Sequence, residues 1–165
     1  MTGQDKRIRQ RRAQEAGNPF SRVASAYSAS RQQGLRLLQK SAGLSIVEWR
    51  VLWDLHEAGP LTIRTLADIQ RTDHSMLSRA LPAMERKGLV RMARGAQDAR
   101  QVVVSLADAG RAAYDAAAPT MQRRREALRA AFTAEETATL VSLLTRLEDV
   151  LRQPIDTILE PELAQ

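Results

Sequence analysis

Only two stretches of the chain read as β-strand, Leu89-Val90-Arg91-Met92 and Gln101-Val102-Val103-Val104-Ser105-Leu106, and they stand side by side in a sequence otherwise dominated by helical spacing. Ala93 to Arg100, between them, is polar and holds Gly95, so the pair is expected to be a hairpin with a long charged tip. The fold class that follows is mainly α with a small β-hairpin.

The helices announce themselves through caps. Residues 1–18 are polar, basic and aperiodic up to Gly17-Asn18-Pro19, and are expected to form a flexible basic arm. From Phe20, the apolar residues Phe20, Val23, Tyr27, Leu35 and Leu38 make a helical stripe to about Lys40, with Asn18 as cap and Pro19 as first helical residue. Ser45-Ile46-Val47-Glu48 is a capping box, flanked by Leu44 and Trp49 at the spacing of a hydrophobic staple. Val47, Val51, Leu52 and Leu55 give that helix its buried face, and Gly59-Pro60 ends it. Thr62 is positioned to cap Ile63 to Gln70, and Thr72 a second short helix carrying Met76, Leu77, Ala80, Leu81 and Met84, stopped by Gly88. After Leu106 the chain is helical to about Ala131. Thr133-Ala134-Glu135-Glu136 is a further capping box, opening a helix that bears Leu140, Leu143, Leu144, Leu147, Val150 and Leu151. Pro154 and Pro161 mark a loose tail over 153–165.

Composition removes several functions. With 165 residues, one domain over 19–152 is expected. The absence of cysteine removes disulfides, thiolate nucleophiles, thiol redox sensing and Cys-ligated zinc, and two histidines leave little for a metal site, so no metal or cofactor is expected. Glu48, Asp54 and His56 are the nearest approach to an acid/base group, yet no nucleophile, metal set or phosphate-cradling glycine loop accompanies them, so the chain is not expected to be an enzyme. No apolar run approaches 18 residues, and the N-terminus lacks the apolar stretch of a signal peptide, so a cytoplasmic location and no membrane partner are expected.

The net charge of +6 is unevenly spread. Residues 1–60 hold 10 basic against 5 acidic residues, 61–100 hold 8 against 4, and 101–165 hold 7 against 10. Arginine outnumbers lysine 22 to 3, which suits bidentate contacts to phosphate and guanine, although a GC-rich coding sequence also enriches Arg and Ala. The basic part of the chain coincides with the order helix, helix, helix, hairpin, which is that of a winged helix-turn-helix spanning about 45–106. Helices at about 19–40 and 108–152 would frame it for dimerisation.

The stretch from Trp49 to Gly110 resembles the MarR family of bacterial transcriptional regulators. The resemblance rests on Trp49 and Leu52, Leu61-Thr62, Leu66-Ala67, Ser75, Ser78-Arg79, Met84-Glu85-Arg86-Lys87-Gly88-Leu89-Val90, Asp98-Ala99-Arg100, Val102 to Leu106, and Gly110. With the flanking helices it covers about residues 20–152. Three features depart from the family pattern. Pro82 interrupts the recognition helix, where a kink is expected. Ala107 replaces a capping threonine, and Asp98-Ala99-Arg100 lacks a second arginine after the aspartate.

The resemblance implies a regulator that binds double-stranded DNA as a homodimer, in keeping with a repressor. In the major groove the helix from Thr72 would present Asp73, His74, Ser75, Ser78 and Arg79 to base edges and phosphates. Arg79 is the candidate guanine reader, with a phosphate contact or a salt bridge to Asp73 or Glu85 as alternatives. Thr62 and Arg64, at a helix start, would meet phosphates. Arg100 at the hairpin tip, steadied by Asp98, would enter the minor groove, with Arg91 and Arg94 supplying backbone charge. Arg123-Arg124-Arg125 and Arg129 read as a solvated face or as partners for acidic groups of a second subunit.

The expected dimer interface uses Phe20 and Val23 with Leu140, Leu144, Leu147 and Leu151, apolar positions beyond what the small winged core can cover. Family members commonly release DNA when a small aromatic or anionic effector binds. The resemblance places Tyr27, Arg31, Trp49, Arg50, Trp53 and His56 near such a crevice, where the tryptophans are alternatively core residues. A structural DNA-coating or adaptor protein without an effector is the competing function.

Overall fold

The computed structural model describes residues 2–95 and 100–155. Its helices are α1 (Gly3–Gly17), α2 (Pro19–Ala42), α3 (Ile46–Ala58), α4 (Ile63–Gln70), α5 (His74–Arg86), α6 (Asp108–Ala130) and α7 (Ala134–Leu151). Strands β1 (Leu61–Thr62), β2 (Val90–Arg94) and β3 (Val102–Leu106) form one antiparallel sheet in the order β1-β3-β2. The chain divides into two compact units, one up to Met121 and one from Gln122, with the boundary inside α6.

The caps are where the sequence puts them at four starts, the first being α2, where Asn18 accepts from the Phe20 amide. Ser45 accepts from the Glu48 amide while Glu48 accepts from the Ser45 amide at 2.7 Å, and Thr133 and Glu136 repeat the exchange at α7. Thr62 accepts from the Thr65 amide at 3.1 Å to open α4. At α5 the expectation is corrected: Asp73, not Thr72, is the N-cap, accepting from the Ser75 amide at 2.8 Å. A carboxylate one residue later satisfies an orphan amide and favours the positive helix end, so it displaces the hydroxyl from that role.

Two further expectations are corrected. Residues 3–17 are helical rather than an irregular arm, because Thr2 and Asp5 form a capping box of their own with the Thr2 amide donating to Asp5 at 2.8 Å. The sheet has a third strand, β1, whose two residues pair Leu61 with Val104 and Thr62 with Val103. Pro82 lies inside α5, which continues through it to Arg86. Gly88 then takes φ +70°, a left-handed turn that only glycine adopts without strain, and aims the chain into β2.

In the first unit α2, α3, α4, α5, the sheet and the first half of α6 share a core of Leu38, Val51, Leu52, Leu66, Leu77, Leu81, Met84, Val90, Val104, Tyr114 and Ala117. Helix α5 is held from beneath, with Leu77, Leu81 and Met84 fully buried while His74, Ser75 and Arg79 face outward. Gly110 packs against this core so closely that a Cβ there would lie 1.9 Å from the Leu89 carbonyl oxygen. Within the second unit α7 buries none of its residues, and Leu140, Leu143, Leu144 and Leu151 are exposed while Leu147 is half-buried. On α2, Phe20, Val23 and Tyr27 are likewise exposed.

Candidate nucleic-acid interface

The turn between α4 and α5 is tight because Arg71 adopts the left-handed conformation, φ 48°, and the Thr72 amide reaches back to the Ala67 carbonyl at 3.0 Å. That turn sets the exposed rows of α5. His74 Nδ1 lies 3.3 Å from the Ser78 hydroxyl, and Arg79 Nε donates to the Ser75 carbonyl at 3.2 Å, so each pair stacks one helical turn apart on the outer face.

Beside this face lies a cleft of about 410 Å³, walled by Thr62 and Arg64 of α4's start, His74 and Ser78 of α5, and Arg100 and Gln101 leading into β3. Five of the residues singled out from sequence therefore meet across three elements. Ile63, Gln101 and Val102 line the cleft too and were not singled out; their position directly beside Thr62, Arg64 and Arg100 was the available signal.

Several groups carry structural duties as well. The Thr62 hydroxyl caps α4 and contacts the Thr65 hydroxyl at 2.8 Å. The hydrogen bonds that Asp73 accepts from Ser75 hold its carboxyl below the usual carboxylate value, with Arg79 and His74 adding a weaker pull. Glu85 accepts from the Met92 amide at 2.8 Å, which ties α5 to β2. Arg91 stands 3.6 Å from Asp108, both largely exposed, a pair that water screens to little net energy. Arg94 is exposed at the end of β2. Asp98, with Ala99, lies outside the described residues.

The residues expected near an effector crevice divide into two sets. Trp49 is buried and stacks on Tyr114 at 5.3 Å with an interplanar angle of 4°, while Trp53 lies 6.1 Å from Trp49 and His56 stacks 4.0 Å from Tyr114. Tyr114 joins this cluster from α6, too distant in sequence for any local pattern to signal it. Arg50 donates to the Gln70 carbonyl at 2.6 Å, and the Gln70 side-chain amide donates to Asp54 at 2.7 Å. Burial pushes the Asp54 carboxyl up, against the Gln70 hydrogen bond and the Arg50 charge. The buried Gln70 Oε1 has no hydrogen-bond partner. Tyr27 and Arg31, by contrast, sit on the exposed face of α2. Among the described residues no cluster of His, Asp and Glu is arranged to hold a metal ion, and no helix is long and apolar enough to cross a membrane.

Residues 44–102 match the model of the MarR family. Over 108 residues, 66% of this chain, the sequence is 29% identical to the uncharacterized HTH-type transcriptional regulator YwaE of Bacillus subtilis, and the match spans 63% of that protein's length. The fold is similar to the MOSR transcriptional regulator of M. tuberculosis, solved in complex with DNA, at a TM-score of 0.68 and 26% identity, covering 82% of this chain and 99% of the other. It is similar also to the PcaV transcriptional regulator of Streptomyces coelicolor, solved with its natural ligand, at a TM-score of 0.69 and 22% identity, covering 83% and 96% of the two chains.

Proposed function

We propose that this chain is a transcriptional regulator of the MarR family, whose model matches residues 44–102, and that it binds a palindromic operator as a homodimer in the cytoplasm and represses transcription until a small aromatic or anionic effector is bound. That reading sets it among regulators rather than enzymes. The observation that carries the DNA reading is the cleft where Thr62, Arg64, His74, Ser78 and Arg100 converge beside the outer face of α5. An α-helix fills the major groove, so α5 can present Ser75, Ser78 and Arg79 to base edges while the hairpin arginine reaches the neighbouring minor groove.

A single winged helix reads few base pairs, so useful affinity requires two copies at fixed spacing. The exposed apolar residues of α2 and those of α7 each offer surface for that pairing. The stacked Trp49, Tyr114 and His56, with half-buried Trp53 6.1 Å from Trp49, supply the aromatic walls that an aromatic acid needs.

Nuclease footprinting on the DNA upstream of the protein's own gene tests this function. The expected result is a compact, symmetric protected site that is lost in the Arg64→Ala, Arg100→Ala double variant and weakened by a member of a panel of phenolic and aromatic carboxylates. Diffuse protection without a preferred site would make the chain a DNA-coating protein instead. A compact site indifferent to the whole panel removes the effector and leaves a constitutive regulator.

A further inference from the structure

We propose that α1 is a second duplex-binding element, gripping DNA phosphates outside the site that the winged helix reads. This rests on the DNA-binding function proposed above. Helix α1 buries none of its residues, so core packing does not explain why it is formed. A 15-residue helix is marginal on its own in water. This one is held at both ends. Its start carries the Thr2 and Asp5 capping box, and its end is bolted to α2 through Ser21 donating to Glu15 and Arg22 Nε donating to the Ala16 carbonyl at 2.9 Å. Asn18, between the helices, accepts from the Phe20 amide at 3.0 Å and so caps α2.

What the anchored helix displays is charge. Lys6, Arg7, Arg9, Arg11 and Arg12 stand against Asp5 and Glu15 alone, and both carboxylates are already engaged, Asp5 by Thr2 and Glu15 by Ser21 and Arg11. Where α1 meets α2, a cleft of about 290 Å³ is lined by Arg11, Arg12, Arg22, Ser21 and Ser25, with Glu15. Three guanidinium groups and two hydroxyls around one committed carboxylate match the forked acceptors of a phosphodiester. At about 1.5 Å per residue the helix extends for roughly 22 Å, enough to follow several phosphates of a strand. A lipid surface is the poorer match, since Ile8 is the one large apolar residue on α1 and no apolar face exists to insert.

The test uses the full chain and two duplexes, about 20 and 40 base pairs long, that share one centred site selected from a random pool. Lys6→Gln, Arg7→Gln and Arg12→Gln are combined, since Gln keeps helix propensity while removing charge. A control variant carries Arg7→Lys and Arg12→Lys. Wild type is expected to bind the longer duplex with the steeper salt dependence. The Gln variant should flatten that dependence by about 0.9 for each phosphate it no longer neutralises, with little change on the shorter duplex, and the lysine variant should retain it. Unchanged helicity by circular dichroism assigns the effect to charge. Equal salt slopes for wild type and the Gln variant on both duplexes, with Arg100→Ala still weakening both, overturn the role of α1 and leave the winged-helix reading intact. Failure of wild type to bind either duplex overturns both. Binding to anionic vesicles that the Gln variant loses, without any effect on DNA, reassigns α1 to a membrane surface.

Discussion

Lys87 Nζ lies 2.6 Å from Glu48 Oε1, across 39 residues of sequence, so the carboxylate that caps the start of α3 also receives the residue that closes α5. Glu48 is buried while Lys87 is mostly exposed, which makes the carboxylate the costly partner to strand. Burial alone would raise the Glu48 pKa; hydrogen bonds from Lys87 and Ser45 outweigh it and hold it below the ordinary 4.5.

The first prediction is therefore an acid-labile join. A lowered folded pKa contributes stability that is complete above the ordinary value of 4.5 and is lost as pH falls through the lowered one. Glu48→Gln should destabilise the protein by about 1–3 kcal/mol at neutral pH and reduce the acid slope below pH ~4.5. Urea midpoints measured across pH 2.5–7 (about half-unit steps) check it. An acid limb unchanged in the variant removes Glu48 as its source.

Gly110 carries the second prediction. The Leu89 carbonyl that a Cβ would strike also accepts the Ala107 amide at 3.2 Å, so the clash falls on the contact joining α6 to the entry of β2. The neighbour is backbone and cannot rotate away. Gly110→Ala should cost more than the roughly 1 kcal/mol by which Ala ordinarily outdoes Gly in a helix, with the opposite sign, and about 1–3 kcal/mol or more in total. Thermal unfolding reads the outcome, and a melting temperature equal to wild type would show that the helix moves aside freely.

Local chemistry was readable from the sequence and distant pairing was not. Ser45 with Glu48, Thr133 with Glu136, and Thr62 each act within four residues, and each is where the spacing puts it. Thr2 and Asp5 obey the same rule, yet lie in a polar, aperiodic segment that carries no apolar stripe to mark a helix. Strand β1 has two residues and exists only because β3 offers Val103 and Val104 as partners. Tyr114 reaches Trp49 over 65 positions, and the meeting of Arg64 with Arg100 across the cleft depends equally on tertiary packing.

The third prediction concerns assembly. Helix α7 exposes Leu140, Leu143 and Leu144 in the isolated chain, an apolar surface that water disfavours. Wild type is expected to sediment as a dimer at micromolar concentration. Leu144→Glu with Leu147→Glu should give a folded monomer of 18.3 kDa with weakened operator binding, because charge would be carried into the interface and the half-sites uncoupled. A dimer that survives both substitutions places the interface elsewhere.

The fourth prediction separates Arg79 from Arg100 on DNA. Arg100 borders the cleft at the loop end of the hairpin, two residues before β3, where a guanidinium acts through charge and groove width, so Arg100→Ala should weaken binding to most sequences and reduce the salt slope by about one unit per protomer. Arg79 projects from the outer row of α5 with its Nε on the Ser75 carbonyl, leaving the terminal nitrogens of the fork to meet a base. If it reads guanine, Arg79→Ala should cost about 1–3 kcal/mol per half-site on the operator and far less on random duplex, so that the specificity ratio falls while nonspecific affinity persists. Titrations of both variants against operator and random DNA at several salt concentrations distinguish the two roles. Equal losses on both DNAs for Arg79→Ala would make it a phosphate contact, and an Arg100→Ala variant with wild-type affinity and salt slope would mean that the hairpin is not a DNA-binding wing.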